Sequence, residues 1–146
     1  SKSRSMAGLR IGYAIGNEEL IKALNDVKYS YNSYTMNMAA IELGAAVLED
    51  KEYFDTTVAK IVDIREAAKI RLKELGFTFP DSKTNFIFAK PSKITAKQMF
   101  EELKKRNIYV RYFTGERVKE HLRITIGTDE EMERFFEAVE EIQGEI

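Results

Sequence analysis

Residues 121–132 read His-Leu-Arg-Ile-Thr-Ile-Gly-Thr-Asp-Glu-Glu-Met, and this stretch joins a strand pattern to the start of a helix. Leu122, Ile124 and Ile126 alternate with polar residues, as expected of a strand with one buried face. The alternation turns Arg123 to the opposite face, because successive side chains of a strand point to opposite sides. We therefore expect a half-buried strand that presents Arg123 on its polar face.

The helix that follows this strand begins with a capping box. Thr128 stands three residues before Glu131, so each side chain can accept a hydrogen bond from the backbone N–H of the other residue. Apolar residues then recur at helical spacing, and they are Met132, Phe135, Phe136, Val139 and Ile142. The pattern predicts a helix whose apolar stripe is buried.

Two further strands and a helix are predicted upstream. Residues 84–89 form an apolar run between two prolines, which is typical of a buried strand. Residues 95–98 form a second capping box at the start of an amphipathic helix. Residues 108–111 predict another strand, with Arg111 on its polar face. Three strands with helices on one side predict a two-layer α+β domain.

The first half of the chain is mostly helical in pattern. Residues 10–15 alternate as a short apolar strand that needs a sheet to join. Asn17 is placed to cap the helix that follows it. A longer helical pattern starts at Met36, pauses near residues 49–50 and ends at Gly76, because glycine is favoured just beyond a helix C-terminus.

Composition excludes several classes of function. The 146 residues are 44% hydrophobic, enough for one sizeable core, and carry 23 Lys and Arg against 24 Asp and Glu. The net charge of −1 gives no electrostatic reason to expect nucleic acid or an anionic membrane as partner. Cysteine is absent, which excludes disulfides and fits a reducing cytoplasm. His121 is the single histidine, so no metal site is predicted and a structural role is expected for it.

The opening residues carry the strongest functional signal. Residues 1–13 read Ser-Lys-Ser-Arg-Ser-Met-Ala-Gly-Leu-Arg-Ile-Gly-Tyr, which places Lys2 eight positions before Arg10. A lysine amine attacks an aldehyde only when deprotonated, so its site must lower its pKa by burial or by nearby positive charge, for which Arg4 and Arg10 are candidates. A guanidinium holds a phosphate through two parallel charge-assisted hydrogen bonds. By itself, a lysine followed by an arginine at this spacing is more often part of a solvated basic segment.

The full wording of residues 1–13 resembles the cofactor-lysine segment of fold-type I aminotransferases, and the resemblance runs through all 146 residues. Residues 7–13 are most similar to the histidinol-phosphate aminotransferases. The resemblance implies a pyridoxal 5'-phosphate cofactor joined to Lys2, with Arg10 holding its phosphate and Ser1 beside it. It also implies the C-terminal small domain of such an enzyme, with a three-stranded, mainly antiparallel sheet and helices on one side.

The same resemblance divides the chain. Residues 1–16 are expected to be a remnant of the cofactor-binding large domain, residues 17–37 a connecting helix and loop, and residues 38–146 the small domain. The missing initiator methionine suggests that Ser1 is not a natural beginning. The acidic partner of the cofactor ring and an aromatic stacking residue are expected upstream. We therefore expect the isolated piece to fold without catalysing.

Arg111 and Arg123 are the expected substrate site. Both fall on the polar faces of predicted strands, so in a small sheet they could point into one cleft and bind a dianion. The resemblance assigns Arg123 to the anionic group of the substrate and makes Arg111 a second clamp on the phosphate of histidinol phosphate. The pair would accept a carboxylate of glutamate or 2-oxoglutarate in the other half-reaction. The alternative is an exposed Arg123 paired with Glu120 or Asp129.

The implied reaction is a ping-pong amino transfer in which Lys2 also moves a proton, carried out by a cytoplasmic homodimer. Two alternatives stay open. One is a relative with the same lysine and arginines, such as an aromatic aminotransferase or a threonine-phosphate decarboxylase. The other is a non-enzymatic α+β ligand-binding module, in which the lysine-to-arginine spacing is a coincidence.

Overall fold

The computed structural model describes residues 4–145, so the predictions for Ser1 and Lys2 lie outside the described residues. The chain forms two compact units, Ser1–Thr56 and Thr57–Ile146. These units are defined by packing, and the domain boundaries expected after residues 16 and 37 stay predictions. In the described range, no helix has the length and apolar character needed to cross a membrane.

The first unit is built from helices. A short 3-10 turn, Ala7–Leu9, precedes α1 (Glu18–Tyr31) and α2 (Met38–Glu49). The Asn17 side chain accepts a hydrogen bond from the backbone N–H of Glu19, which confirms the predicted cap. Asn37 caps α2 in the same way, accepting from the N–H of Ala40.

The strand predicted at residues 10–15 is wrong, because these residues adopt no regular structure. Tyr13 and Ile15 are exposed, so the apolar alternation reflects no buried strand face here. The reason is that a strand needs a hydrogen-bonding neighbour, and the strands of the described range all lie in the second unit. Ile11 instead lies against α2, where a Cβ built on Gly44 would be 2.8 Å from its Cδ1.

A long helix, α3 (Lys51–Glu74), begins in the first unit and continues into the second. The predicted stop at Gly76 is confirmed, because this residue has φ +80° and two backbone hydrogen bonds close the helix end. The N–H of Phe77 donates to Leu72 O at 2.8 Å and that of Gly76 to Lys73 O at 3.0 Å. Only glycine adopts this left-handed conformation without strain.

The second unit contains the sheet of the predicted α+β domain. Its strands are β1 (Phe86–Ala89), β2 (Arg111–Tyr112) and β3 (Leu122–Thr125), in the order β1-β3-β2. Both pairings are antiparallel, and β3 is central. Along β3, Leu122 and Ile124 are buried while Arg123 and Thr125 are exposed, as the alternation predicts. One face of the sheet therefore joins the core and the other presents polar side chains.

The second predicted strand, residues 108–111, forms only at its last residue. Its first half is occupied by the end of α4 (Ala96–Lys105), because the N–H of Ile108 donates to Leu103 O at 3.0 Å. Those backbone groups complete the helix and cannot also pair with β3. Ile108 and Val110 still pack against the core, so the apolar alternation was read correctly but not the pairing.

Both predicted capping boxes are present. Thr95 and Gln98 cap α4, and Thr128 and Glu131 cap α5 (Asp129–Gly144). The two helices pack with the buried sheet face around one core. Its fully buried large side chains come from α3, α4, α5 and the strands, and they are Leu72, Ile87, Met99, Leu103, Leu122, Ile124 and Val139.

Two cations on α3 are buried and paired. Arg65 and Lys69 are 6% and 7% exposed. Arg65 donates to the backbone O of Thr84 at 3.2 Å, and the Nζ of Lys69 donates to Asp81 at 2.6 Å. Glu66 accepts from both cations. The network ties α3 to the loop that leads into β1.

Candidate functional site

The described segment next to the predicted cofactor lysine begins at Arg4. Its guanidinium carbon lies 3.6 Å from the centroid of the Phe54 ring, close enough for a cation–π contact. Its Nη1 is buried and has no hydrogen-bond partner among residues 4–145. Arg4, which follows Lys2 by two positions, therefore holds its positive charge against the ring of Phe54. Lys2 itself lies outside the described residues.

Arg10 ends the 3-10 turn in a left-handed conformation, with φ 56° and ψ 34°. Its Nη1 donates to Ala7 O at 3.1 Å, and its side chain is exposed. A guanidinium carries five N–H donors, so this contact leaves most of them available to an anion. No glycine supplies the left-handed φ here. The left-handed conformation of Arg10 therefore costs conformational free energy, because a residue with a Cβ is strained there.

Arg111 and Arg123 are brought together by the sheet. They are directly opposite partners of the β2–β3 pair, and both are exposed on the same face. Within residues 4–145, neither guanidinium donates a hydrogen bond or forms an ion pair. Arg65, Arg71 and Arg106 each form ion pairs. Two uncompensated positive charges on adjacent strands are suited to bind a dianion.

The ion pair considered as an alternative for Arg123 does not form. Glu120 accepts a hydrogen bond from Lys90 Nζ at 2.7 Å. This contact, more than the charges of His121 and Lys119, lowers the pKa of Glu120. Glu120, the carboxylate nearest to Arg123 in sequence, is thus paired with Lys90. It does not neutralise the positive charge of Arg111 and Arg123.

Two phenylalanines beside the arginine pair were missed in the sequence analysis. Phe113 lies 5.4 Å from the guanidinium of Arg111 and 5.8 Å from that of Arg123. Phe86 lies 5.6 Å from the guanidinium of Arg123. Phe113 stands two residues after Arg111, so strand parity puts both side chains on one face. That spacing was the available signal.

His121 lies beside the sheet without joining the arginine pair. Its ring stacks on Phe88 at a centroid distance of 4.6 Å and an interplanar angle of 9°. Its Nδ1 is buried without a hydrogen-bond partner in the described part of the chain. The packing agrees with the structural role expected for it.

A separate pocket of about 320 Å³ lies between residues 107–110 and the start of α5. Neither Arg111 nor Arg123 lines it, so it is distinct from the arginine pair. In residues 4–145 there is also no cluster of three His, Cys, Asp or Glu side chains suited to a metal ion. Of the arginines that the sequence predicted to bind anions, Arg10 lies in the first unit and the arginine pair in the second.

Comparison with known proteins gives one consistent family. The family model for aminotransferase class I and II matches residues 1–139. A histidinol-phosphate aminotransferase from Brachyspira hyodysenteriae is 50% identical over 142 residues, which are 97% of this chain and 40% of that protein. The chain therefore spans about two fifths of the length of this relative.

Solved structures share the fold. The histidinol-phosphate aminotransferase from Sinorhizobium meliloti, solved in complex with pyridoxal-5'-phosphate, superposes with a TM-score of 0.83 at 23% identity. The match covers 98% of this chain and 39% of that one, and at this identity it shows the fold alone. A decarboxylase from Sulfurospirillum multivorans superposes with a TM-score of 0.76 at 26% identity, covering 94% of this chain and 40% of that one.

Proposed function

This chain belongs to the class I and II aminotransferase family, and from that premise we propose that it is part of a histidinol-phosphate aminotransferase. The proposed reaction moves an amino group between histidinol phosphate and 2-oxoglutarate, with pyridoxal 5'-phosphate as cofactor. The observation that carries the proposal is that Arg111 and Arg123 stand directly opposite each other and form no ion pair within residues 4–145, in a chain 50% identical to a histidinol-phosphate aminotransferase. Their charge matches a phosphate monoester.

The described residues fit the phosphate of the proposed cofactor. Arg10 spends one N–H on Ala7 O and has no ion pair among residues 4–145, so its charge is available. Gly8 stands in open space, because nothing lies within 4 Å of a Cβ built on it. Backbone without a side chain lets a ligand approach closely. A guanidinium fork beside such a backbone is a suitable phosphate site.

In the proposed mechanism, this chain contributes position, charge and a base. The cofactor, when bound, supplies the electron sink for the reacting substrate carbon. Lys2 Nζ would hold the cofactor and would act as the base that takes a proton from the reacting substrate carbon. Arg10 fixes the cofactor phosphate, and Arg111 with Arg123 fixes the anionic end of the substrate. Holding both partners converts the transfer into an effectively unimolecular step.

The same pair accounts for both halves of the proposed reaction. A phosphate monoester and the distal carboxylate of glutamate or 2-oxoglutarate are both anions with oxygen acceptors that a guanidinium fork matches. One site can therefore receive each substrate in turn. We also propose a homodimer, as the resemblance implies. We propose a cytoplasmic location as well, which the absence of cysteine fits.

The test uses the full-length polypeptide that contains this chain, loaded with pyridoxal 5'-phosphate. We expect a cofactor absorbance band that changes on addition of histidinol phosphate. Lys2→Ala should abolish both the lysine-bound band and turnover, whereas Lys60→Ala, which changes an exposed lysine on α3, should abolish neither. Intact activity in Lys2→Ala would refute the assignment and favour the binding-module alternative.

A decarboxylase is the second candidate, because a decarboxylase structure is among the neighbours at 26% identity. Threonine phosphate and histidinol phosphate share the phosphate that the arginine pair would bind, but only the former carries a carboxylate to lose. Release of carbon dioxide from threonine phosphate, without amino transfer from histidinol phosphate, would move the function to that class. Faster transfer from an aromatic amino acid would indicate an aromatic aminotransferase.

A further inference from the structure

The arginine pair is electrostatically unfavourable as it stands. Arg111 and Arg123 are direct cross-strand partners, and like charges in this position repel. A nearby carboxylate would relieve the repulsion, yet Glu120 is held by Lys90. Within the described structure, the contacts recorded for these guanidinium groups are with aromatic rings.

The contacts that both arginines share are with an aromatic ring. Phe113 lies within 6 Å of each guanidinium, the range in which a ring face attracts a cation. A carboxylate would occupy the N–H donors and cancel the charge, whereas a ring face contacts the flat side of the guanidinium and leaves its donor edge free. Phe113 thus restrains the pair while the charge and the donors stay available to a ligand.

The position of Phe113 argues against an ordinary packing role. Its neighbour Tyr112 packs against the hydrophobic core, on the buried side of β2. Phe113 is half-buried, but in the described part of the chain it is not among the side chains packed against that core. Phe86 is likewise half-buried outside the core. Of the two arginines in the pair, the one its ring contacts in the described range is Arg123.

We propose that Phe113 is a positioning residue, which aligns Arg111 and Arg123 as a preformed clamp for a phosphate monoester. The identity of the substrate rests on the proposed function, but the clamp requires only a phosphate dianion. Restraining long side chains before binding removes part of the entropic cost of ordering them. Phe86 adds a further contact to Arg123, whose guanidinium carbon lies 5.6 Å from the centroid of its ring.

The first experiment measures inorganic phosphate binding to this 146-residue chain. The NMR signals of the Arg111 and Arg123 Nε–H groups would be followed during the titration. We expect Phe113→Leu to weaken binding about three- to tenfold, since two cation–π contacts are lost. The phosphate affinity of Phe113→Tyr should stay within about twofold of that of the unmodified chain, because tyrosine keeps the aromatic ring face. Phe79→Leu is the matched control, because its ring contacts Lys73 instead.

The second experiment uses steady-state kinetics of the full-length enzyme. A positioning role predicts that Phe113→Leu raises KM for histidinol phosphate about three- to tenfold while kcat changes less than twofold. Circular dichroism of each variant checks that the fold is retained.

The outcomes separate this inference from the proposed function. Phosphate binding that depends on Phe113, in an enzyme that does not turn over histidinol phosphate, would reject the proposed substrate and keep the clamp. The inference is overturned if phosphate leaves the two arginine signals unchanged, or if Phe113→Leu binds phosphate as tightly as the unmodified chain. Failure of Phe113→Tyr to restore binding would also overturn it.

Discussion

At the scale of single residues, the arginines of this chain differ in what neutralises them. Arg106 donates to Glu102 and Glu145, and these contacts, Glu145 first, raise its pKa. Arg111 and Arg123 have only aromatic neighbours for their guanidinium groups in the described range. A paired arginine stabilises a surface, whereas an unpaired one with its donors free is able to bind an anion. The direct opposition of Arg111 and Arg123 on adjacent strands, together with the lack of an ion pair in the described range, identifies the candidate substrate site.

Replacing Arg123 by glutamine should therefore impair substrate binding selectively. Loss of charge-assisted hydrogen bonds predicts a kcat/KM for histidinol phosphate on the order of 10- to 100-fold lower in the full-length enzyme. Arg117→Gln, which changes an exposed arginine in the loop before β3, is the control. An equal loss with histidinol, which lacks the phosphate, would show that Arg123 does not bind that group.

At the scale of elements, α3 is fastened to the loop before β1 by buried cations. Hydrogen bonds from Lys69 and then Lys83 lower the pKa of Asp81 to about 2 from an ordinary 3.8. A hydrogen bond to the same carboxylate raises the pKa of Lys69. The ion pair between Lys69 and Asp81, whose charged forms are both favoured in the folded state, therefore connects α3 to the loop that leads into β1.

This contact predicts a defined pH dependence of stability. Because the pKa of Asp81 is lower in the folded chain, its ionised form stabilises the fold above about pH 4, and this contribution disappears as the pH falls towards 2. Asp81→Asn should lower the urea midpoint at pH 7 and lose that difference near pH 2. Asp63→Asn, at an exposed position on α3, should leave the urea midpoint unchanged both at pH 7 and near pH 2. A difference between Asp81→Asn and the parent that persists unchanged at pH 2 would contradict this account.

At the scale of the whole molecule, the two units differ in how much apolar surface they bury. The second unit contains nearly all of the buried hydrophobic residues, whereas α1 and α2 expose large apolar side chains and α2 buries only Ala40. The exposed set includes Leu20, Leu24, Val27, Met38, Ile41 and Leu48. Such surface is typical of contact with other protein. The chain spans about 40% of the length of its relative.

We expect the purified 146-residue chain to show no measurable amino transfer. The chain covers 40% of its relative, and we expect the residues that orient and stack the cofactor ring to come from the remainder of the enzyme. Chain-only and full-length samples would be compared with histidinol phosphate and 2-oxoglutarate, following glutamate formation. Transamination by the chain alone would contradict the prediction, and activity in the full-length sample is the positive control.

The sequence by itself determined the features that depend on residues a few positions apart. The capping boxes at Thr95 and Thr128 and the stop at Gly76 are confirmed because their hydrogen bonds form within one helical turn or helix end. Strand parity correctly placed Arg123 on an exposed face. These interactions are local, so their residue types are readable in order along the chain.

Only the tertiary structure decided which segments pair. It removed the strand at residues 10–15, reduced the second strand to two residues, set Arg111 opposite Arg123 and brought Phe113 beside both. Strand pairing and register depend on a partner distant in sequence, and alternation along one segment does not specify that partner. The family was therefore readable from the residues and their order. The geometry that sets two arginines beside an aromatic ring, without an ion pair in the described range, came from the fold.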